Sequence, residues 1–255
     1  ALNTETADGT YAYVATGNIG TDAIKQAFIY KPAKVEQVGN VAILDETYDA
    51  AYDTTKNRPS LAVSFKDKIT DEIFTVSVNH FKSKGSACDG DPDLEDGQGN
   101  CNLTRKRAAE VLVRWLEGDP TQANSDMYVI IGDLNSYAKE DPIDAIKLGA
   151  DKTEGTADDV TNLVEKFNAP EAYGYVFDGK AGYLDHALAN KKFAYYVLDA
   201  KFWHINADEA DVFDYDTSFK PAEQAALYNP DAYRSSDHDP VLISLTLIKP
   251  PTISS

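Results

Sequence analysis

The sequence predicts an α/β fold, and three stretches carry that reading. Residues 60–65 and 72–78 are apolar runs separated by the polar turn 66–71, as in an antiparallel hairpin. Residues 127–131 are apolar at almost every position, the pattern of a strand covered on both faces. Between them Ala108, Ala109, Val111, Leu112, Trp115 and Leu116 recur at helical spacing. Asn102 or Thr104 is the expected cap of that helix and Gly118-Asp119-Pro120 its stop. Trp115 falls on the apolar face and is read as core.

The other elements follow from local signals. Tyr11-Ala12-Tyr13-Val14 is a strand among Gly-, Thr- and Asn-rich loops. Residues 23–30 form a strand ended by Lys31-Pro32, because proline cannot donate to a ladder. Residues 35–44 make another strand, and the acidic, tyrosine-rich segment 45–58 a surface loop. Asp141-Pro142 opens a helix with proline in its first turn, fading near Gly149. Residues 173–177 and 183–188 read as two strands around the turn 178–182, and residues 241–248 as the last strand.

Composition narrows the class. The chain has 255 residues, 43% hydrophobic and 26% charged; this excludes disordered and fibrous classes and allows one large domain or two small ones. No repeat or low-complexity linker divides it. No run approaches the roughly 18 apolar residues of a membrane span, so no membrane partner is expected. The polar first residues are not a signal peptide.

With 42 acidic against 24 basic residues the formal net charge is −18, and such a surface repels polyanions unless cations or a local basic patch intervene. A generic nucleic-acid-binding module is thereby disfavoured. An enzyme that meets a phosphodiester through divalent ions is not. Cys88 and Cys101 lack the paired ligand spacing of a structural zinc site. A disulfide between them is preferred over free thiols; it would contribute on the order of 3 kcal/mol and points to an extracellular or periplasmic location. The acidic stretch 151–159 and the alternating Asp89, Asp91 and Asp93 lack a complete EF-hand pattern. They read first as solvated loops, and second as sites for calcium as a structural ion.

The chemistry-bearing residues sit at strand ends. Ser235-Ser236-Asp237-His238-Asp239-Pro240 leads into the last strand. Asp185 lies in an apolar strand, where an unpaired carboxylate is costly, and His238 is its candidate partner. Gly132 lets the chain turn sharply after an apolar strand and presents Asp133 and Asn135. His80 ends the second hairpin strand. The basic loop after it, with Lys82 and Lys84, suits anion contact in so acidic a chain. His186 and His204 are read as structural.

Asn79-His80, Gly132-Asp133-Leu134-Asn135, Leu184-Asp185-His186 and Ser236-Asp237-His238, in that order, resemble the endonuclease/exonuclease/phosphatase superfamily of deoxyribonuclease-like, metal-dependent phosphoesterases. Longer strings resemble its secreted bacterial extracellular nuclease branch: Asn79-His80-Phe81-Lys82-Ser83-Lys84-Gly85, Tyr175-Val176-Phe177-Asp178-Gly179, residues 182–188, and Trp203-His204-Ile205-Asn206-Ala207-Asp208-Glu209. The resemblance implies a four-layer α/β sandwich, two central, mostly antiparallel sheets with helices outside, and an active site where strand ends meet. It implies that His238 orients or deprotonates the attacking water while Asp185 holds its ring. It gives His80 phosphate binding and help to the leaving oxygen, Asp133 and Asn135 the positioning of nucleophile and phosphate, and Asp237 a place beside the metal. Lys82, Lys84 and Arg105 are candidate phosphate contacts.

Members of that superfamily begin with a strand carrying an Asn, then a strand ending in the Glu that is the chief metal ligand. No counterpart precedes Gly20, and Glu5 does not fill the role. Residues 1–19 are therefore read as a polar N-terminal segment, residues 20–248 as the C-terminal larger part of such a domain, and residues 249–255 as a tail. The N-terminal strands are expected to be missing from this chain, which would associate with that missing portion. The expected function is hydrolysis of phosphodiester bonds with Mg²⁺ or Mn²⁺, the substrate being DNA, or RNA, degraded without sequence preference outside the cell. Two alternatives stand beside it: a secreted phosphoesterase acting on a lipid or inositol phosphate, and a non-catalytic, calcium-stabilised extracellular binding module.

Overall fold

The computed structural model describes residues 1–247; the predicted tail and the end of the last predicted strand lie outside them. In chain order the elements are α1 (Leu2–Glu5), β1 (Ala12–Tyr13), β2 (Ile29–Tyr30), β3 (Val35–Leu44), β4 (Ser60–Asp67), β5 (Ile73–His80), α2 (Asn102–Glu117), β6 (Tyr128–Asp133) and α3 (Asp141–Lys147). There follow β7 (Val160–Asn162), α4 (Leu163–Asn168), β8 (Tyr175–Phe177), β9 (Lys180–Gly182), β10 (Asp185–Asn190), α5 (Lys191–Tyr195), β11 (Val197–Phe202), a 3-10 turn at Asp211–Phe213, α6 (Ala222–Ala225) and β12 (Val241–Leu245).

A six-stranded mixed sheet in the order β3-β4-β5-β6-β10-β7 is the centre. Its pairs are antiparallel except β5 with β6, and the parallel pair needs a crossover, which α2 supplies. Strand period sorts the side chains to two faces. Tyr128 and Ile130 of β6 meet α2 and α3, whereas Val129 faces a cluster built from α4, α5 and β11. On β4, Leu61, Val63 and Phe65 pack against Val14, Ile19 and Phe28, which precede β3. Covered on both sides, β6 is apolar from Tyr128 to Ile131, as the sequence predicts.

The α/β architecture with a central mixed sheet agrees with the expected class. Of the second expected sheet, the described residues form only β11–β12, and β12 has β11 as its one strand neighbour there. Among the described residues no helix is long and apolar enough to cross a membrane.

Helix α2 buries the predicted stripe, Trp115 included, but not with the predicted cap. Cys101 precedes it at φ 65°, and Asp91 reaches over from the disulfide loop to accept from the amides of Leu103 (3.2 Å) and Thr104 (2.7 Å). These donors are orphans at any helix start, and satisfying them contributes about 1 kcal/mol. The Cys88–Cys101 disulfide, with Cα atoms 5.4 Å apart, ties that cap to the helix it serves. Asp91 is thus occupied as a cap.

Three further expectations change. Of residues 23–30 only Ile29–Tyr30 is strand, because β1 offers two residues to pair with. Residues 173–177 and 183–188 are not partners: β8 pairs with β9 through Asp178 (φ 50°) and Gly179 (φ 71°), while β10 runs into the central sheet. Within the loop 45–58, Tyr52 is fully buried, its hydroxyl on the Arg58 carbonyl (2.9 Å) and Ser60 Oγ (2.6 Å).

Candidate active site

Register assembles the site. Asp133 at the end of β6 is paired with His80 at the end of β5 and with Asp185 at the start of β10, so three functional groups share one row at one edge of the sheet. Gly132 makes the close approach possible. At φ 113° a Cβ would lie 2.2 Å from the Asn79 carbonyl oxygen, a position open to glycine alone. Asn79 braces the same strands, its amide donating to the carbonyls of Ser77 (3.0 Å) and Ile131 (3.1 Å).

Asn135, at φ 47°, folds back on Asp133. Its backbone amide donates to Asp133 Oδ1 (2.7 Å), and its side-chain amide donates to Asp133 Oδ2 (3.0 Å) and to the Phe81 carbonyl (3.0 Å). His80 Nε2 lies 3.4 Å from Asp133 Oδ2. That contact is not an ion pair at neutral pH, because burial and the Arg58 charge hold His80 down to about 4. Asp133 moves the other way: burial and the neighbouring Asp185 push it up to about 7, against the pull of His238, the Asn135 amide and Arg58.

His238 arrives from the loop before β12. Its Nδ1 is hydrogen-bonded to Asp185 Oδ2; a carboxylate accepts, so Nδ1 carries the proton and Nε2 is left for substrate. Burial alone would lower its pKa, but the hydrogen bond and charge of Asp185, with Asp133 and Asp237 adding, raise it to about 9. Asp237 is exposed, with Oδ2 4.0 Å from His238 Nε2.

The backbone of His238 is clamped. It bridges to Tyr175 of β8, the Tyr175 ring lies 4.5 Å from the imidazole, and Asn206 donates to the His238 carbonyl (2.7 Å). Next along, the Asp239 amide donates to the Gly174 carbonyl (2.8 Å). Buried Asp239 accepts from the amides of Ile205 (3.1 Å), Asn206 (2.8 Å) and Ala207 (3.0 Å) and from His204 Nδ1 (2.9 Å).

The site thus brings together His80, Asp133, Asn135, Asp185, Asp237 and His238. The three basic candidates divide. Lys82 follows His80 and sits among cations: burial, then Arg105, Lys56 and Arg58, lower its pKa. Lys84 is paired with Glu140 and lies over the Tyr137 ring at 4.6 Å. Arg105 is fully buried, bonded to Ser136 Oγ (3.1 Å) and the carbonyls of Lys82 (3.2 Å), Asn100 (2.7 Å) and Gln98 (2.9 Å). Arg105 thus lies buried among the loop carbonyls beneath Lys82, and Lys84 is engaged by Glu140. His186 is buried on the Ser136 carbonyl (2.7 Å), and burial lowers it to about 4.

Sequence reasoning missed Arg58, Tyr175, Asn206 and Asp239 as parts of the site. Arg58 was within reach, since an antiparallel hairpin places the residues just before β4 beside the end of β5; its amide donates to the His80 carbonyl (3.2 Å). Tyr175 and Asn206 sit in strings whose resemblance is noted above but which assign them no task, and Asp239 directly follows such a string.

A divalent ion, which the resemblance implies, needs oxygen donors. Among the described residues no three His, Cys, Asp or Glu side chains form a group that could hold a metal ion, so there is no preformed cage. The donor chemistry fits a loosely held hard cation: Mg²⁺ keeps several waters and takes one or two carboxylates plus substrate phosphate. Exposed Asp237, 4.0 Å from His238 Nε2, is the carboxylate that would serve, and Asp133, lifted by burial and then by Asp185, lies in the same site.

No protein-family model and no curated protein matches the sequence. Solved structures do. A mannosyl-6-phosphatase of Bacteroides thetaiotaomicron VPI-5482 superposes with a TM-score of 0.61 over 96% of this chain and 80% of its own, at 17% identity. An endonuclease/exonuclease/phosphatase family protein from Bacteroides thetaiotaomicron gives 0.54 over 79% and 68%, also at 17% identity. D. rerio TDP2 complexed with a single-stranded DNA product gives 0.51 over 94% and 78%, at 13% identity. With strand ends, glycine turn and histidine loop in place, the chain has the α/β fold of the endonuclease/exonuclease/phosphatase proteins.

Proposed function

We propose that the chain is a metal-dependent phosphodiesterase that degrades DNA without sequence preference outside the cell. The observation that carries this reading is the Asp185–His238 pair, set across from His80 and Asp133 at the ends of three neighbouring strands. Phosphodiester hydrolysis requires an aligned water, a base, charge neutralisation on the phosphoryl oxygens and assistance to the leaving oxygen. In its neutral form, which gains population as pH rises towards about 9, His238 takes the proton of the attacking water on Nε2, and Asp185 fixes its ring and stabilises the imidazolium that results. His80, neutral at pH 7, offers a hydrogen bond to the leaving oxygen. Lys56 and Lys82, beside an Arg58 that is paired with Asp22 (2.8 Å), give an otherwise acidic surface a local cationic patch for phosphate. When bound, Mg²⁺ or Mn²⁺ held at Asp237 supplies charge that neutralises the phosphoryl oxygens and screens the carboxylates that hold His238 up. The disulfide supports an oxidising, extracellular setting.

The test is a substrate panel of plasmid DNA, RNA, sphingomyelin, inositol phosphate and mannose 6-phosphate, each with Mg²⁺, with Mn²⁺ and with chelator. Metal-dependent loss of plasmid DNA is expected. Hydrolysis confined to sphingomyelin, inositol phosphate or the sugar phosphate would replace the nuclease reading with a small-substrate phosphoesterase.

A further inference from the structure

Beside His238 stands a feature the proposed chemistry does not use. The Tyr175 ring lies 4.5 Å from the His238 imidazole, tilted by 41°. Phe177, two residues along β8 and so on the same face, lies 6.2 Å from Tyr175 with ring planes 11° apart. The three rings make a row that leads outward from the reacting nitrogen. Tyr175 is half-buried, whereas Phe177 is 65% exposed.

The hairpin that carries Phe177 closes in a tight turn. Asp178 and Gly179 both occupy the left-handed region, as a two-residue turn matched to strand twist requires, and Phe177 pairs in register with Lys180. Asp178 and Lys180 offset each other at the tip, so a ring surface and not charge is what this arm offers. Across the site, after β5, lie Lys82 and the cations around it. A ligand spanning both would have phosphate on one side of His238 and a flat ring on the other.

We infer that Tyr175 and Phe177 form a stacking platform for a nucleobase, so that the substrate is a single-stranded or locally unpaired polynucleotide whose scissile phosphate lies at His238. The inference rests on the phosphodiesterase reading and names its substrate class. In a duplex the base faces are already covered by one another; an unpaired base presents a free π-face that aromatic side chains accept whatever its identity. Stacking of this kind is worth about tenfold in affinity per base, and it accords with degradation that ignores sequence.

The experiment uses the full chain as wild type, Phe177→Ala and Phe177→Trp. Each is titrated in chelator with a fluorescent oligodeoxythymidine and with an abasic oligomer of equal length, then given Mg²⁺ or Mn²⁺ to follow cleavage of both. Wild type is expected to bind the base-bearing oligomer about tenfold more tightly than the abasic one. Phe177→Ala should reduce that ratio to below about twofold, and Phe177→Trp should restore it. No discrimination by wild type, or discrimination that survives Phe177→Ala, overturns the platform, as does Phe177-dependent binding to phosphatidylcholine vesicles in place of oligomers. Cleavage without base dependence sinks the platform alone. Base-dependent binding with no phosphoester cleaved under any metal supports the platform and sinks the phosphodiesterase reading.

Discussion

Two Asp–His pairs flank the same short loop, and they differ in what else their carboxylates hold. Asp185 bonds His238 at the mouth of the sheet, and both side chains keep about a fifth of their surface exposed, at 23% and 22%. Asp239, one residue after His238, bonds His204, yet its side chain is 0% exposed and three backbone amides converge on one of its oxygens. Burial would raise Asp239, but the amides of Ala207, Asn206 and Ile205 together with His204 keep it below the ordinary carboxylate range. The His204 ring is further packed flat on Tyr173 at 4.2 Å. The same two residue types thus form an oriented base in one place and a loop staple in the other. The difference lies in how many backbone donors each carboxylate satisfies and in which other titratable groups face its histidine.

Replacing Asp239 with Asn should separate the two most clearly in stability. The substitution removes a buried charge on which three amides depend and sets an amide group among donors. A loss of about 3 kcal/mol is expected, or roughly 10 °C in Tm for a chain of this size, by thermal denaturation. A fall of less than about 2 °C would mean that the loop is held by other contacts.

A smaller effect concerns pH, and the two pairs have opposite signs. His238 is raised to about 9 in the folded chain, so its pair contributes stability that is full below the usual histidine value of about 6.5 and is lost as pH climbs through 9. Asp239 is depressed, so its pair contributes above the ordinary carboxylate range and is lost only in acid. Thermal denaturation in chelator should show Tm falling between pH 7 and pH 10 by more in wild type than in His238→Ala. Parallel curves for the two proteins would contradict the raised value.

Much of this was legible in the sequence because strand ends announce themselves. The apolar run ending in Gly132-Asp133, the hairpin ending in His80 and the costly carboxylate at Asp185 were each local signals, and topology had only to bring them into one row. The His238–Asp185 partnership followed from the need to pair a carboxylate in an apolar strand. What escaped was non-local. Asp91 caps α2 from across a disulfide, and the burial of Arg105, read as a candidate phosphate contact, escaped because its four partners are three loop carbonyls and a hydroxyl that no periodicity marks. The pairing of β8 with β9 hid behind the apolar run that continues into β10. Asp239 and Asn206 carry no helical or strand pattern, since their work is done on the backbone of a loop.

The central claim is that Asp185 and His238 act as the catalytic pair while Asp239 and His204 do not. It is tested most directly by the turnover of bis(p-nitrophenyl) phosphate per folded molecule for wild type, Asp185→Asn and Asp239→Asn, with Mg²⁺ or Mn²⁺ present. Asp185→Asn should lose about a thousandfold in kcat, the scale of a misoriented general base, with Asp239→Asn retaining activity within about tenfold of wild type. Asp185→Asn turning over at the wild-type rate, or the two variants losing activity alike, would contradict the account.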